Sequence, residues 1–192
     1  MTDRDEDRWR QDNLGAFGEL PGDLMMWVLI ASELLVFGAA LLAFLAVRAA
    51  DPIGFSADQA LLDRTAGALN TMVLVTSGLC AGLAVVYRDR GARTIARRWL
   101  LAAASLGVVF LVVKGFEYAH KADAGIDIET SAFFTFYYLT TGFHALHVVA
   151  GILILALVGW ADSLRNMEAA VAFWHMVDLV WVLLFPVIYL LR

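Results

Sequence analysis

Five long apolar stretches dominate this 192-residue sequence and limit what it can fold into. They run about Leu24–Arg48, Ala66–Tyr87, Leu100–Tyr118, Ala132–Trp160 and Ala169–Leu191. Each holds at least about 19 residues, enough at about 1.5 Å per residue to cross a hydrocarbon core of about 30 Å. The fourth is longest, about 29 residues, and should tilt or project beyond the bilayer. The connecting segments are short, so the spans should pack as an up-and-down bundle. The reading is an all-α membrane protein, with residues 1–23 as a cytoplasmic tail and 24–192 as a five-helix transmembrane domain.

Composition agrees. Hydrophobic residues make up 61% of the chain and charged residues only 17%, whereas a soluble domain is nearer half apolar. So few charges cannot cover a water-facing surface, and the excess apolar area must face lipid. The formal charge of −5 comes with no basic face, so no nucleic-acid partner is expected. Cys80 is the single cysteine, which rules out an internal disulfide or a cysteine-based metal framework and reads as a small buried hydrophobe. The first 23 residues are polar and rich in acids, with no cleavable signal pattern, so the first span should act as its own insertion signal.

Lysine and arginine set the expected orientation. With the N-terminus inside, the inner segments hold Arg4, Arg8, Arg10, Arg88, Arg90, Arg93, Arg97, Arg98 and Arg165. The outer segments hold Arg48, Arg64, Lys114, Lys121 and Arg192. The short segment from Arg88 to Arg98 carries five arginines by itself, which predicts a cytoplasmic N-terminus and a periplasmic C-terminus. Trp27, Tyr87, Trp99 and Trp160 fall at expected inner ends. Tyr118, Phe133, Phe134, Phe136, Tyr137 and Tyr189 fall near outer ends, where amphipathic rings favour the headgroup zone. Gly78 and Gly82 form a GxxxG pair, and Gly38, Ala39 and Ala40 thin the first helix, both readable as close helix contacts.

A charge at membrane depth costs about 3 kcal/mol on insertion scales, so the polar residues inside the spans need a reason. They are Glu33, Asn70, Thr71, Lys114, Glu117, His144, His147, His175 and Asp178. Glu117 with His120, His144 with His147, and His175 with Asp178 are each spaced i, i+3 and share a helix face. Counting residues puts Glu33 about 14 Å, Asp178 about 12 Å and His147 about 20 Å from the inner boundary. These depths predict a polar cluster of Glu33, His144, His147, His175 and Asp178 facing the bundle interior.

Three readings of that cluster stand. It fixes packing through interhelical hydrogen bonds, it binds lipid headgroups or modulates proton movement, or it ligates a metal or haem. Glu-x-x-His is half of the di-iron carboxylate motif, but Glu117–His120 lies near the outer surface and has no second copy. Trp174 and Trp181, spaced i, i+7, read as packing or interface anchors. The sequence shows no nucleophile with a positioned base and no Gly-rich phosphate loop, so no independent active site and no cofactor are expected.

Several segments resemble the subunit III family of haem–copper oxidases. They are Ile30-Ala31-Ser32-Glu33-Leu34-Leu35-Val36-Phe37, Leu69-Asn70-Thr71-Met72-Val73-Leu74, Lys114-Gly115-Phe116-Glu117-Tyr118, Thr141-Gly142-Phe143-His144-Ala145-Leu146-His147-Val148 and Phe173-Trp174-His175-Met176-Val177-Asp178-Leu179-Val180-Trp181. They cover all five spans in order. The resemblance implies a non-catalytic subunit without metal or haem, flanking a catalytic subunit in a bacterial inner membrane and holding phospholipid. It also matches Glu33 to the family's buried carboxylate, associated with proton-related effects and carbodiimide labelling. The seven-helix mitochondrial form has two further helices at its start, which puts the family's V-shaped lipid cleft in doubt here. The short length and the entry Glu19-Leu20-Pro21-Gly22-Asp23-Leu24 with Trp27 are most similar to NorE, the accessory protein of bacterial nitric oxide reductase. The implied partner is then the haem-bearing subunit of that reductase, with subunit I of a terminal oxidase as the alternative. An independent metal-binding membrane protein is a third class.

Overall fold

The computed structural model describes residues 24–161 and 163–191. The tail 1–23, with Arg4, Arg8, Arg10 and the entry motif before Leu24, and Arg192 lie outside the described residues. Among those described there are six α-helices: α1 (Leu24–Ala50), α2 (Pro52–Gln59), α3 (Arg64–Asp89), α4 (Arg93–Asp123), α5 (Ala132–Ala161) and α6 (Leu164–Phe185). α6 runs on into a π-helical turn at Pro186–Leu190. All but α2 are long and apolar enough to cross a membrane.

Two of the expected spans lengthen. α4 starts at Arg93 rather than Leu100 and ends at Asp123 rather than Tyr118. Arginine is a good helix former, and its long stem lets the charged head reach past the lipid, so Arg93, Arg97 and Arg98 continue the helix. α6 starts at Leu164 rather than Ala169, because the Ser163 hydroxyl accepts a hydrogen bond from the Asn166 N–H and caps it. The connection after α1 holds an unexpected short helix. Pro52 opens α2, and the Asp51 carboxylate accepts from the Gly54 N–H at 3.0 Å.

The turns after α3 and α4 are built alike. Gly91 and Gly125 adopt φ of 79° and 72°, a region where a side chain would be strained. Each lets the chain fold back on the end of its helix. Ala92 N–H bonds Tyr87 O at 2.9 Å and Gly91 N–H bonds Arg88 O at 3.0 Å; Ile126 and Gly125 repeat the pattern onto Lys121 and Ala122. α3 and α4 therefore lie side by side across a three-residue connection.

α6 is the axis of the bundle. It packs against α1, α3 and α5, while α4 closes the ring between α3 and α5. Half of its apolar window (50%) is buried, against 11% for α1. α1 docks on α6 and α5 rather than on α3, the next span in the chain. The Trp174 indole is fully buried and passes between Gly107 of α4 and Gly151 of α5. A Cβ on those glycines would come within 2.7 Å and 2.5 Å of the ring. Gly78 lies against Asp178 of α6, as a close contact should. Gly38 does not behave as expected: no neighbouring atom lies within 4 Å of where its Cβ would be.

Several aromatic residues assigned to the headgroup zone lie in the core instead. Phe133, Phe134, Tyr137 and Tyr189 are all buried. Phe133 and Phe55 hold α5 to α2 with rings edge to face at 5.6 Å, and Phe44 of α1 joins them at 5.4 Å from Phe55. At the arginine-rich end, Tyr87 and Trp99 stack at 6.5 Å across the α3–α4 turn.

Candidate functional site

The largest polar assembly among the described residues is built on α4, about two turns from its end. Lys114 and Glu117 share a helix face and both turn inward. Lys114 Nζ lies 3.0 Å from Glu117 Oε2 and donates to the hydroxyls of Tyr137 at 3.1 Å and Tyr189 at 3.0 Å. Both tyrosines donate to Glu117 Oε1, each at 2.8 Å. All three ammonium protons and both carboxylate oxygens are engaged. Lys114 is 3% exposed and the tyrosines 0%. The Lys114 ammonium also faces the rings of Tyr137 and Trp181, at 4.9 Å and 5.4 Å from their centroids. One cation and one anion cancel inside a fully bonded network, so this knot joins α4, α5 and the turn after α6 without a net buried charge.

A second polar contact ties α1 to α5. Glu33 Oε2 lies 3.1 Å from His147 Nε2. His147 Nδ1 donates to Phe143 O, one turn back, at 2.9 Å. The contact is one of proximity rather than a hydrogen bond, since Glu33 Oε2 has no hydrogen-bond partner among the described residues. The side chains of His147 and Glu33 remain 15% and 20% exposed. Phe143 and Phe37 pack edge-on against the imidazole at 4.6 Å and 5.5 Å. Beside them a cavity of about 360 Å³ opens between α1 and α5, walled by Val36, Phe37, Ala40, Leu139 and Phe143.

His144 is one turn away and points elsewhere. It is fully buried, stacked on Trp181 at 5.1 Å, with the Phe110 ring edge-on at 5.6 Å. Neither ring nitrogen has a hydrogen-bond partner among the described residues. Asn70 Nδ2 donates to Phe110 O at 3.2 Å, tying α3 to α4. Thr71 Oγ1 accepts from Trp181 Nε1 at 2.9 Å and donates to Gly67 O at 2.8 Å, tying α3 to α6. Ser77, which the sequence reading did not single out, does the same for Trp174. It accepts from Nε1 at 3.1 Å and donates to Ala103 O at 2.7 Å.

His175 and Asp178 lie on the α3 side of α6. Asp178 is buried against Gly78, and the His175 side chain is 50% exposed. Their nitrogen and oxygen are 3.9 Å apart, too far for a hydrogen bond. Among the described residues, no hydrogen bond or ion pair joins them to Glu33 and His147. The expected single cluster is therefore two separate pairs, with His144 in a pocket of its own. The reason is angular. Phe173, which stacks on His147 at 6.5 Å, and Asp178 are five positions apart on α6, roughly 140° around the helix.

Glu117 and His120 also part, since Glu117 turns into the knot while His120 stays exposed on the surface of the bundle. No three His, Cys, Asp or Glu side chains converge as a metal-ligand set among the described residues. What the arrangement does provide is a series of interhelical hydrogen bonds, and one carboxylate–imidazole contact, Glu33–His147, at the open seam between α1 and α5. Tyr137 and Tyr189 were missed as polar-site residues. The available signal was their depth, which matches that of the Lys114–Glu117 pair in α4.

Comparison with known proteins covers nearly the whole of this architecture. A family model for cytochrome c oxidase subunit III matches residues 22–192. The chain is 34% identical over 130 residues to a "Probable cytochrome c oxidase subunit 3" of Mycobacterium leprae, covering 64% of each protein. It thus spans just under two thirds of that relative's length. A relative of the same description from Nocardia farcinica is 29% identical over 171 residues, covering 85% of this chain and 84% of that protein. A "Heme-copper oxidase subunit I+III" of Aeropyrum pernix is 34% identical over 180 residues, covering 86% of this chain and 22% of that protein.

Proposed function

The chain belongs to the cytochrome c oxidase subunit III family, and from that premise we propose that it is the non-catalytic subunit III of a haem–copper terminal oxidase, docked against a haem-bearing subunit I. The match to a protein described as subunit I and III together carries this reading, because one polypeptide there bears both names. The relatives' descriptions favour the terminal oxidase over the nitric oxide reductase accessory role that the entry segment and short length suggested. In this role the chain is a scaffold. The buried Lys114–Glu117 pair is bonded by tyrosine hydroxyls from α5 and the turn after α6, and electron transfer is left to the neighbouring polypeptide. The Glu33–His147 contact fastens α1, the helix with the least buried surface, to the rest of the bundle. The orientation that places the arginine-rich α3–α4 turn in the cytoplasm of a bacterial cell is part of the same proposal.

Isolation of the tagged full-length chain in mild detergent tests it. Co-isolation with a haem- and copper-containing subunit I is the expected result. Recovery with a nitric oxide reductase alone would reinstate the accessory role, and turnover by the isolated chain would end the scaffold reading.

A further inference from the structure

The short helix α2 lies at the end of the bundle opposite the arginine-rich turn, where the chain passes from α1 to α3. It is too short to cross a membrane. Polar contacts nevertheless run from it and its exit turn to each of the three elements that build the Lys114–Glu117 knot. Gln59, the last residue of α2, is buried, and its Nε2 donates to Ile188 O in the π-helical turn at 2.8 Å. Asp58 Oδ2 accepts from the Ser131 hydroxyl, at the start of α5, at 2.6 Å. Leu61 O, in the turn after α2, accepts from the buried Lys121 of α4 at 3.5 Å, the longest of the three contacts.

Each contact holds a backbone that carries part of the knot. Pro186 has no N–H to bond back into α6. The turn it opens closes from Leu191 N–H to Pro186 O at 2.9 Å. An i→i+5 closure fits one more residue into the turn than a regular helix does, which changes the direction in which Tyr189 points. Ile188 O is among the last carbonyls of its helix, which lack intrahelical partners, and Gln59 supplies its donor. That oxygen lies in the same planar peptide as the Tyr189 nitrogen, so holding it holds the base from which the tyrosine side chain leaves. Ser131 Oγ also accepts from the Phe134 N–H at 3.3 Å and caps α5 one turn before Tyr137. Lys121 stands about two turns beyond Lys114 on α4, with its ammonium 5.8 Å from the centroid of the Tyr137 ring.

We propose that α2 is a strap that sets, from the outer end of the bundle, the register in which α4, α5 and the π-helical turn bring their side chains into the knot. Phe55 seats the strap on Phe44 and Phe133, and the three polar ties give it a direction that apolar packing alone does not. Gln59 is the principal tie, because it is buried, short and bonded to the peptide next to Tyr189. Gln59 and Asp58 are thus positioning residues for hydroxyls that belong to other helices. The strap acts within this chain and does not depend on which complex the chain joins.

Double-mutant cycles on the full-length chain, read as the equilibrium constant of reversible unfolding in mild detergent, test this. Gln59→Met keeps the length of the side chain and removes its N–H donor. Tyr189→Phe should lower the folding constant about tenfold in the unaltered chain. In the Gln59→Met background the same change should cost about twofold or less, because the hydroxyl has already left its place. Asp58→Ala leaves the Ser131 cap on α5 and should blunt the effect of Tyr137→Phe in the same way. Glu33→Gln, at the α1–α5 seam, should add independently to Gln59→Met. Hydrogen exchange separates the strap from general loosening. The Leu191 amide should exchange severalfold faster in Gln59→Met, while the Ala92 amide at the opposite end of the bundle should not change. Additive energies in both the Gln59–Tyr189 and the Asp58–Tyr137 cycles would overturn the proposal, and so would equal acceleration of the two amides. Should Gln59→Met fail to fold, the Asp58–Tyr137 cycle decides alone.

Discussion

Glu117 and Glu33 are both carboxyl groups set into spanning helices of one bundle, and they are held in opposite ways. Glu117 sits inside a closed knot in which every proton and oxygen has a partner and three elements converge. Glu33 meets a single imidazole across a seam that stays open to one side. A closed network in a low-dielectric interior fails as a unit, because removing one member strands a buried charge. An open pair loses one contact, and interhelical hydrogen bonds in membranes average only about 0.6 kcal/mol. The two carboxyls should therefore differ several-fold in what their removal does, although the sequence presents them as the same residue type at membrane depth.

The largest effect is expected for Glu117→Gln. It leaves Lys114 charged and unneutralised, at a cost of about 3–5 kcal/mol, readable as a lost folding transition in detergent. Adding Lys114→Met should recover most of that loss, and a double variant as unstable as the single one would show that the knot does not act as a unit. Gly78→Ala comes next. A methyl there overlaps Asp178, and about 1–3 kcal/mol of overpacking should appear in the midpoint of thermal unfolding. Tyr189→Phe removes one hydroxyl that donates to Glu117 and accepts from Lys114, for about 1–3 kcal/mol. A loss as large as that of Glu117→Gln would place the weight of the knot on the tyrosine. Glu33→Gln keeps an oxygen and a nitrogen facing His147, so stability should fall by about 1 kcal/mol or less and co-isolation with the partner should persist. Release of the partner by Glu33→Gln would erase the contrast between the two sites. Gly38→Ala should do least, within about 0.5 kcal/mol, since the new methyl meets open space.

The five spans were legible because length and apolarity alone decide them, and the structure shifts most of their ends by only a few residues. The exceptions have local causes. Arg93, Arg97 and Arg98 look like a loop by charge but continue α4, and α2 is too short to register in hydropathy. The polar residues were harder to place. Depth can be counted along one helix, but the direction a side chain faces depends on which helices become neighbours. Phe173 and Asp178 on α6 illustrate this, because they lie within about 8 Å of each other along the helix axis yet face different partners. Tyr137 and Tyr189 looked like headgroup anchors because tyrosine favours both a water boundary and a buried hydrogen-bond partner. Only the nearby Lys114–Glu117 pair decides between the two.

The position of α6 bears on how such a protein is made. It follows the other four spans in chain order, yet it is the member around which α1, α3 and α5 assemble. A ribosome feeding the membrane from the N-terminus delivers the keystone after the arch. Until it arrives, Gly107 and Gly151 border an unfilled slot, and Lys114 and Glu117 lack the hydroxyl of Tyr189. The half-built bundle thus exposes its costliest surfaces during synthesis, when quality-control proteases and insertion factors have access to them.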